Sequence, residues 1–125
     1  MRTLKILLRA APWMSAAAVV LLAASPANAH AKLESATPAA DSTVSAPKVI
    51  QVHFSEAVES KLSSLKLATS DGSAIASMAM NDAKDPAALA IMPTATLAPG
   101  RYTVTWSVVS DDGHKTHGTF SFTIQ

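Results

Sequence analysis

The sequence predicts an all-β domain, built as a seven-stranded Greek-key sandwich or barrel. Apolar and polar residues alternate with period two over residues 49–55 and again over residues 102–108, as in strands with one buried face. Tight-turn signals such as Asp71-Gly72 separate the alternating segments. After residue 29, apolar spacing of three and four residues is not sustained, so long helices are not expected.

The alternating segments define seven strands, which suits an immunoglobulin-like or cupredoxin-like fold in a small domain. Residues 62–79 are expected to form a hairpin through the Asp71-Gly72 turn. Trp106 shares its strand face with Tyr102 and is therefore predicted to lie in the core. The predicted strands cover residues 31–35, 49–55, 62–69, 73–80, 88–92, 101–109 and 117–124.

Length and composition limit the possible functions. The 125 residues, of which 15% are charged, provide one domain and exclude a multidomain enzyme. Arg2, Lys5 and Arg9 precede residue 30, so the remainder has 10 − 3 = 7 basic and 9 acidic residues. A nucleic-acid partner is therefore not expected. Cysteine is absent from the sequence, which excludes disulfides, thiolate zinc sites and blue-copper centres.

Residues 1–29 have the three-part plan of a secretory signal peptide. A basic start precedes an apolar stretch over residues 12–24, and Ala27 and Ala29 supply the small residues of an A-x-A cleavage site. The sequence thus predicts cleavage before His30, periplasmic export, and a β domain over residues 30–125 that is not embedded in the membrane. An uncleaved membrane anchor is the alternative, which the short and interrupted apolar run disfavours.

Cleavage would make His30 the first residue, with a free amine beside its imidazole. The amine and Nδ1 of one histidine can chelate a metal ion. The polar loop before the last strand adds Asp112 and His114, which lie two residues apart and share one side of an extended backbone. Three nitrogens and one oxygen suit copper(II) in a square-planar or tetragonal site. A solvated hairpin loop that binds no metal is the alternative interpretation.

Four segments also resemble a known family. They are HAKL at residues 30–33, FSEAV at 54–58, YTVTWSVVSDDGH at 102–114 and GTFSF at 118–122. These segments resemble the CopC-type periplasmic copper-binding proteins over nearly the whole chain after residue 29. The resemblance implies a seven-stranded Greek-key β-barrel that binds one copper(II) ion through His30, Asp112 and His114. It also implies a role in copper resistance, or supply of copper to a CopD-like inner-membrane transporter.

The other potential metal ligands are predicted to have ordinary structural roles. His53 and His117 are expected at the surface, because neither shares the side of the strand that would bring it to the candidate site. Some members of the resembled family carry a methionine-rich segment that holds copper(I). Here only Met78, Met80 and Met92 follow the cleavage site, so a copper(I) site is not expected.

The sequence as a whole predicts a monomeric copper(II) carrier rather than an enzyme. An amine, two imidazoles and a carboxylate fill the equatorial positions of the ion, and no nucleophile–base set stands out. Two alternatives stay open. A histidine-brace copper oxidase or oxygenase also uses an N-terminal histidine with a second histidine. A metal-free immunoglobulin-like adhesion or scaffold module would bind no copper.

Overall fold

A computed structural model describes residues 30–125 of the chain. These residues form two β-sheets that pack against each other. The predicted signal peptide lies outside the described residues. Within residues 30–125, no helix is long and apolar enough to cross a lipid bilayer. The elements in chain order are β1 (Leu33–Thr37), β2 (Thr43–Val44), β3 (Ile50–Phe54), a 3₁₀-helix (Ser60–Leu62), β4 (Ser64–Thr69), β5 (Ala74–Ile75), β6 (Ser77–Ala79), β7 (Ala88–Pro93), β8 (Gly100–Val109) and β9 (Lys115–Ile124).

The chain crosses between the two sheets several times. One sheet has the strand order β1-β3-β7-β6, and the other has the order β2-β9-β8-β4-β5. The chain changes sheet from β1 to β2, from β2 to β3, from β3 to β4, from β5 to β6 and from β7 to β8. The predicted sandwich is confirmed, whereas the strands of residues 30–125 do not close into a barrel.

The strand prediction differs from the structure mainly between residues 73 and 80. The single predicted strand there is two strands, because β5 pairs with β4 in one sheet and β6 pairs with β7 in the other. Alternation of polar and apolar residues does not reveal such a switch, since strands of two and three residues are too short to show a period of their own. The two-residue strand β2, which runs parallel to β9, is too short to produce a pattern.

The core lies between the sheets and contains the residues that alternate inward along the strands. Val52, Val104 and Phe122 are fully buried, and each lies at an apolar position of its strand. Trp106 is buried as predicted, with its ring centroid 5.2 Å from that of Phe54. The core therefore extends up to the end of β8, next to the loop that carries Asp112 and His114.

Gly118 on β9 makes room for the Trp106 indole. The two residues are directly paired across β8 and β9. A Cβ atom at position 118 would lie 2.6 Å from Cζ2 of Trp106, well inside van der Waals contact. The indole thus packs on the glycine backbone, and any side chain at position 118 would displace it.

The substitution Gly118→Ala is therefore expected to lower the free energy of unfolding by about 1–3 kcal/mol, as overpacking in a core does. Urea denaturation monitored by tryptophan fluorescence measures the change. Thr119→Ser, at the next and outward-facing position of β9, is the control and should change stability by less than about 0.5 kcal/mol. Equal stabilities of Gly118→Ala and wild type would contradict the packing described here.

Candidate metal centre

The loop between β8 and β9 is a tight turn closed by backbone hydrogen bonds. The Ser110 N–H donates to the His114 carbonyl oxygen at 2.9 Å, and the Gly113 N–H donates to the Ser110 carbonyl oxygen at 2.8 Å. Gly113 has a φ of 86°, in the left-handed region that glycine adopts without strain. The turn therefore fixes the backbone on both sides of Gly113, and with it the positions of Asp112 and His114.

Ser110 and His114 hold the carboxylate of Asp112. The hydroxyl of Ser110, which is fully buried, donates to Oδ1 of Asp112. The same oxygen accepts from the His114 backbone N–H at 3.2 Å. Oδ2 lies 3.0 Å from Nδ1 of His114. The His114 side chain is 56% exposed.

The amino end of the described chain is anchored beside this loop. The Thr116 hydroxyl donates to the Ala31 carbonyl oxygen at 2.8 Å, and Ala31 itself is buried. The Lys32 N–H donates to Oγ of Ser55 at 2.9 Å, and the Ser55 N–H donates to the Lys32 carbonyl oxygen at 2.8 Å. These bonds hold the start of the domain beside the first residues of β9, next to the β8–β9 loop.

The anchoring places the imidazoles of His30 and His114 in contact. Their centroids are 4.5 Å apart, with the ring planes at 84°. Because a metal ion sits roughly 3 Å from the centroid of an imidazole that binds it, one shared ion can span this separation. The structure thus brings together His30 and His114, and Asp112 contacts His114.

The side chains of residues 30–125 do not by themselves form a complete set of metal ligands. Within residues 30–125, no group of three or more His, Cys, Asp or Glu side chains has the geometry to hold an ion. The set of ligands predicted from the sequence is not made of side chains alone, because one of its nitrogens is the main-chain nitrogen of His30. In the full 125-residue chain this nitrogen belongs to a peptide bond, and it becomes an amine donor only after cleavage.

A buried oxygen without a partner lies in the neighbouring segment. Oε1 of Glu56 is buried and has no hydrogen-bond partner among the described residues. Glu56 follows Ser55, which is bonded to Lys32, and precedes Ala57, whose carbonyl oxygen accepts from the Asp111 N–H at 3.3 Å. It therefore belongs to the segment that joins the amino end of the domain to the β8–β9 loop.

Ser110, Thr116 and Glu56 are functional candidates that the sequence prediction missed. The two-residue spacing of Ser110 and Asp112 is the local signal for a side-chain hydrogen bond within a turn. Nothing in the sequence indicates the bond from Thr116 to Ala31, because it joins opposite ends of the described chain. Glu56 lies in a segment that the sequence associates only with the family resemblance.

The two remaining histidines lie outside the candidate site. His117 is exposed on β9 opposite Ser107, as predicted. His53 is on β3, with Nδ1 3.5 Å from Oδ2 of Asp85 and a side chain that is 40% exposed. Both side chains therefore have the surface positions expected from the strand alternation.

Of the three methionines of the domain, Met78 and Met92 lie on the other sheet, and Met80 directly follows β6. Met78 on β6 is directly opposite Met92 on β7. Met78 and Met80 are 53% and 46% exposed, so they are not core residues. No sulfur atom belongs to the group formed by His30, Asp112 and His114.

The hydrogen bonds around Asp112 predict an acid-sensitive contribution to stability. The Ser110 hydroxyl and, after it, the His114 imidazole lower the pKa of Asp112 from 3.8 to about 2. Since this pKa is lower in the folded than in the unfolded state, the carboxylate stabilises the fold above about pH 4. That stability is lost as the pH falls through about 2.

Unfolding of the metal-free domain by urea between about pH 4 and pH 2 tests this assignment. We expect Asp112→Asn to weaken the fall in stability across that window, and Asp111→Asn, at the exposed neighbouring position, to leave it unchanged. The same pH slope in Asp112→Asn and wild type would contradict the assignment.

Comparison with known proteins agrees with this fold. The family model described as the CopC domain matches residues 33–125, which include all nine strands. Copper resistance protein C of Escherichia coli is 35% identical over 114 residues, covering 86% of this chain and 90% of that protein. Copper resistance protein C of Pseudomonas syringae pv. tomato is 36% identical over 111 residues, covering 84% of this chain and 88% of that protein.

Solved structures of similar fold also come from copper resistance proteins or proteins named CopC. The crystal structure of CopC from Methylosinus trichosporium OB3b has a TM-score of 0.72 at 34% identity, covering 77% of this chain and 94% of that one. PcoC from Escherichia coli, described as a methionine-rich copper resistance protein, has a TM-score of 0.70 at 37% identity, covering 77% of this chain and 99% of that one. The family model, the sequence relatives and the structural neighbours all lead to one assignment: this chain belongs to the CopC family.

Proposed function

We propose that this protein binds copper(II) in the periplasm and sequesters or carries it for copper resistance and homeostasis. The observation that supports the proposal is the contact between His30 and His114, which lie far apart in the sequence, with ring centroids 4.5 Å apart. The relatives named as copper resistance proteins indicate which ion such a site would hold. Copper is the cargo of this protein and not a resident cofactor.

The proposed site binds one copper(II) ion through three residues. His30 supplies its amine and Nδ1, His114 supplies an imidazole nitrogen, and Asp112 supplies a carboxylate oxygen. Three nitrogens and one oxygen form the tetragonal arrangement that copper(II) favours. The equatorial positions are then filled, which leaves little room for a substrate, so we propose a monomeric carrier rather than an enzyme.

Export and processing belong to the same proposal. Residues 1–29 act as a signal peptide, and cleavage before His30 both releases the domain into the periplasm and creates the amine donor. The protein binds copper tightly only after this step, because the precursor holds the nitrogen of His30 in an amide. A CopD-like inner-membrane transporter receives the ion from the mature protein.

Titration of the metal-free mature protein, starting at His30, with copper(II) against a chromophoric chelator tests the proposal. We expect one tightly bound ion per chain, with Asp112→Ala weakening binding about tenfold or more. Asp111→Ala is the matched control and should bind as wild type does. Failure of the mature protein to compete with the chelator would refute copper carriage.

Peroxide production distinguishes the carrier from a histidine-brace enzyme. With ascorbate and oxygen, we expect the copper-loaded protein to produce no more hydrogen peroxide than the same concentration of free copper, because its equatorial positions are filled. Production well above that of free copper would instead favour the enzyme.

A further inference from the structure

We infer that Thr116 is a positioning residue for copper binding, because its hydroxyl holds the amino end of the mature chain against the loop that carries His114. The inference rests on the proposed function, since it concerns the order of the terminal chelate. Thr116 does not itself contact the ion. Its side chain acts through the main chain of Ala31, the residue next to His30.

The hydrogen bond from Thr116 to Ala31 has the right position for this role. Its length is 2.8 Å, and within residues 30–125 it is the hydrogen bond closest to the amino end. The bonds between Lys32 and Ser55 hold the next residue, one step farther from His30. Thr116 thus controls the final stretch of backbone that leads to the amine and imidazole of His30.

Alternate residues from the end of the loop into β9 each make a contact that builds the site. His114 is the last loop residue before β9, and Thr116 and Gly118 follow at two-residue spacing, so the three positions share one side of an extended backbone. His114 contacts the His30 ring, Thr116 bonds to Ala31, and Gly118 receives the Trp106 indole. The residue that anchors the terminus therefore lies on the same side of the chain as the second histidine.

The physical effect of this anchor is preorganisation. Fixing the backbone of a residue costs conformational entropy, and a site that is ordered before its ligand arrives does not incur that cost on binding. Without the Thr116 hydroxyl, His30 and Ala31 would become ordered only when copper binds. We expect a loss of about fivefold in copper(II) affinity, comparable to the net effect of one hydrogen bond.

Thr116→Val, which replaces the hydroxyl by a methyl group of similar size, tests the inference in the mature protein. Thr119→Val is the control, since Thr119 lies on the same strand with its side chain exposed. Thr116→Ser retains a hydroxyl and should restore wild-type affinity. In the metal-free protein, nuclear magnetic resonance should show faster backbone motion at Ala31 in Thr116→Val than in Thr119→Val.

A second comparison separates positioning from general stability. When the amine of His30 is acetylated, the terminal chelate is removed, so Thr116→Val should no longer change the residual copper affinity. Equal copper affinities of Thr116→Val and Thr119→Val in the mature protein would overturn the inference. An equally large loss of affinity on Thr116→Val in the acetylated protein would overturn it as well. If the mature wild-type protein binds no copper but Ala31 is loosened in Thr116→Val, the proposed function fails while the anchor remains.

Discussion

An acetyl group on the amine of His30 is expected to lower the copper(II) affinity of the mature protein by at least about a hundredfold, equivalent to about 2.7 kcal/mol. Acetylation converts the amine of His30 into an amide. Because no neighbouring free amine anchors copper(II) beside it, this amide keeps its proton near neutral pH, and the chelate ring with Nδ1 of the same residue is lost. His114 and Asp112 remain, but two separate side chains bind copper(II) less tightly than a set that includes a chelate.

The mature protein acetylated at the His30 amine provides this comparison in a competition titration. The matched control carries an acetyl group on the exposed side chain of Lys48 instead, and should bind as the mature protein does. Both proteins should have the same thermal stability without copper, because His30 is exposed. Equal affinities of the two acetylated proteins would contradict a site built on the free terminus.

His114→Ala is expected to cause a comparable loss, of about a hundredfold in copper(II) affinity. The substitution removes the third nitrogen and also the group that pairs with Oδ2 of Asp112. Because the His114 side chain is 56% exposed and its backbone makes the hydrogen bonds of the turn, the fold should tolerate the change. The same titration measures the loss of affinity.

His117→Ala is the control for this substitution. His117 lies three residues further along the chain and is exposed, but it belongs to the opposite side of β9. It should bind copper(II) as wild type does. If instead His117→Ala lowers the affinity and His114→Ala does not, the histidine that binds the ion has been misassigned.

The fold was predictable from the sequence where strands are long and have one buried face. The alternation of Tyr102, Val104 and Trp106 with polar residues defines β8, and these side chains are buried in the structure. The exchange of sheets between β5 and β6 was not predictable, since it depends on pairing partners far along the chain. Local patterns indicate that a strand exists, but not which strand it pairs with.

The sequence indicates the proposed donors of the candidate site but not the contacts that support them. His30 is singled out by the predicted cleavage signal, and Asp112 and His114 by their spacing across Gly113. Their proximity depends on contacts of Thr116 with Ala31 that join distant parts of the chain. A single sequence contains no trace of such a contact, because a threonine in a strand is ordinary at any position.

A crystal structure of the copper-loaded mature protein, with anomalous diffraction recorded at the copper edge, shows whether the ion binds at His30, Asp112 and His114. We expect one anomalous peak per chain, within bonding distance of the amine and imidazole of His30 and of the His114 imidazole, with Asp112 beside it. A single peak at Met78 and Met92 on the opposite sheet would contradict the proposed copper site. A peak at His114 with the His30 amine turned away would contradict it as well.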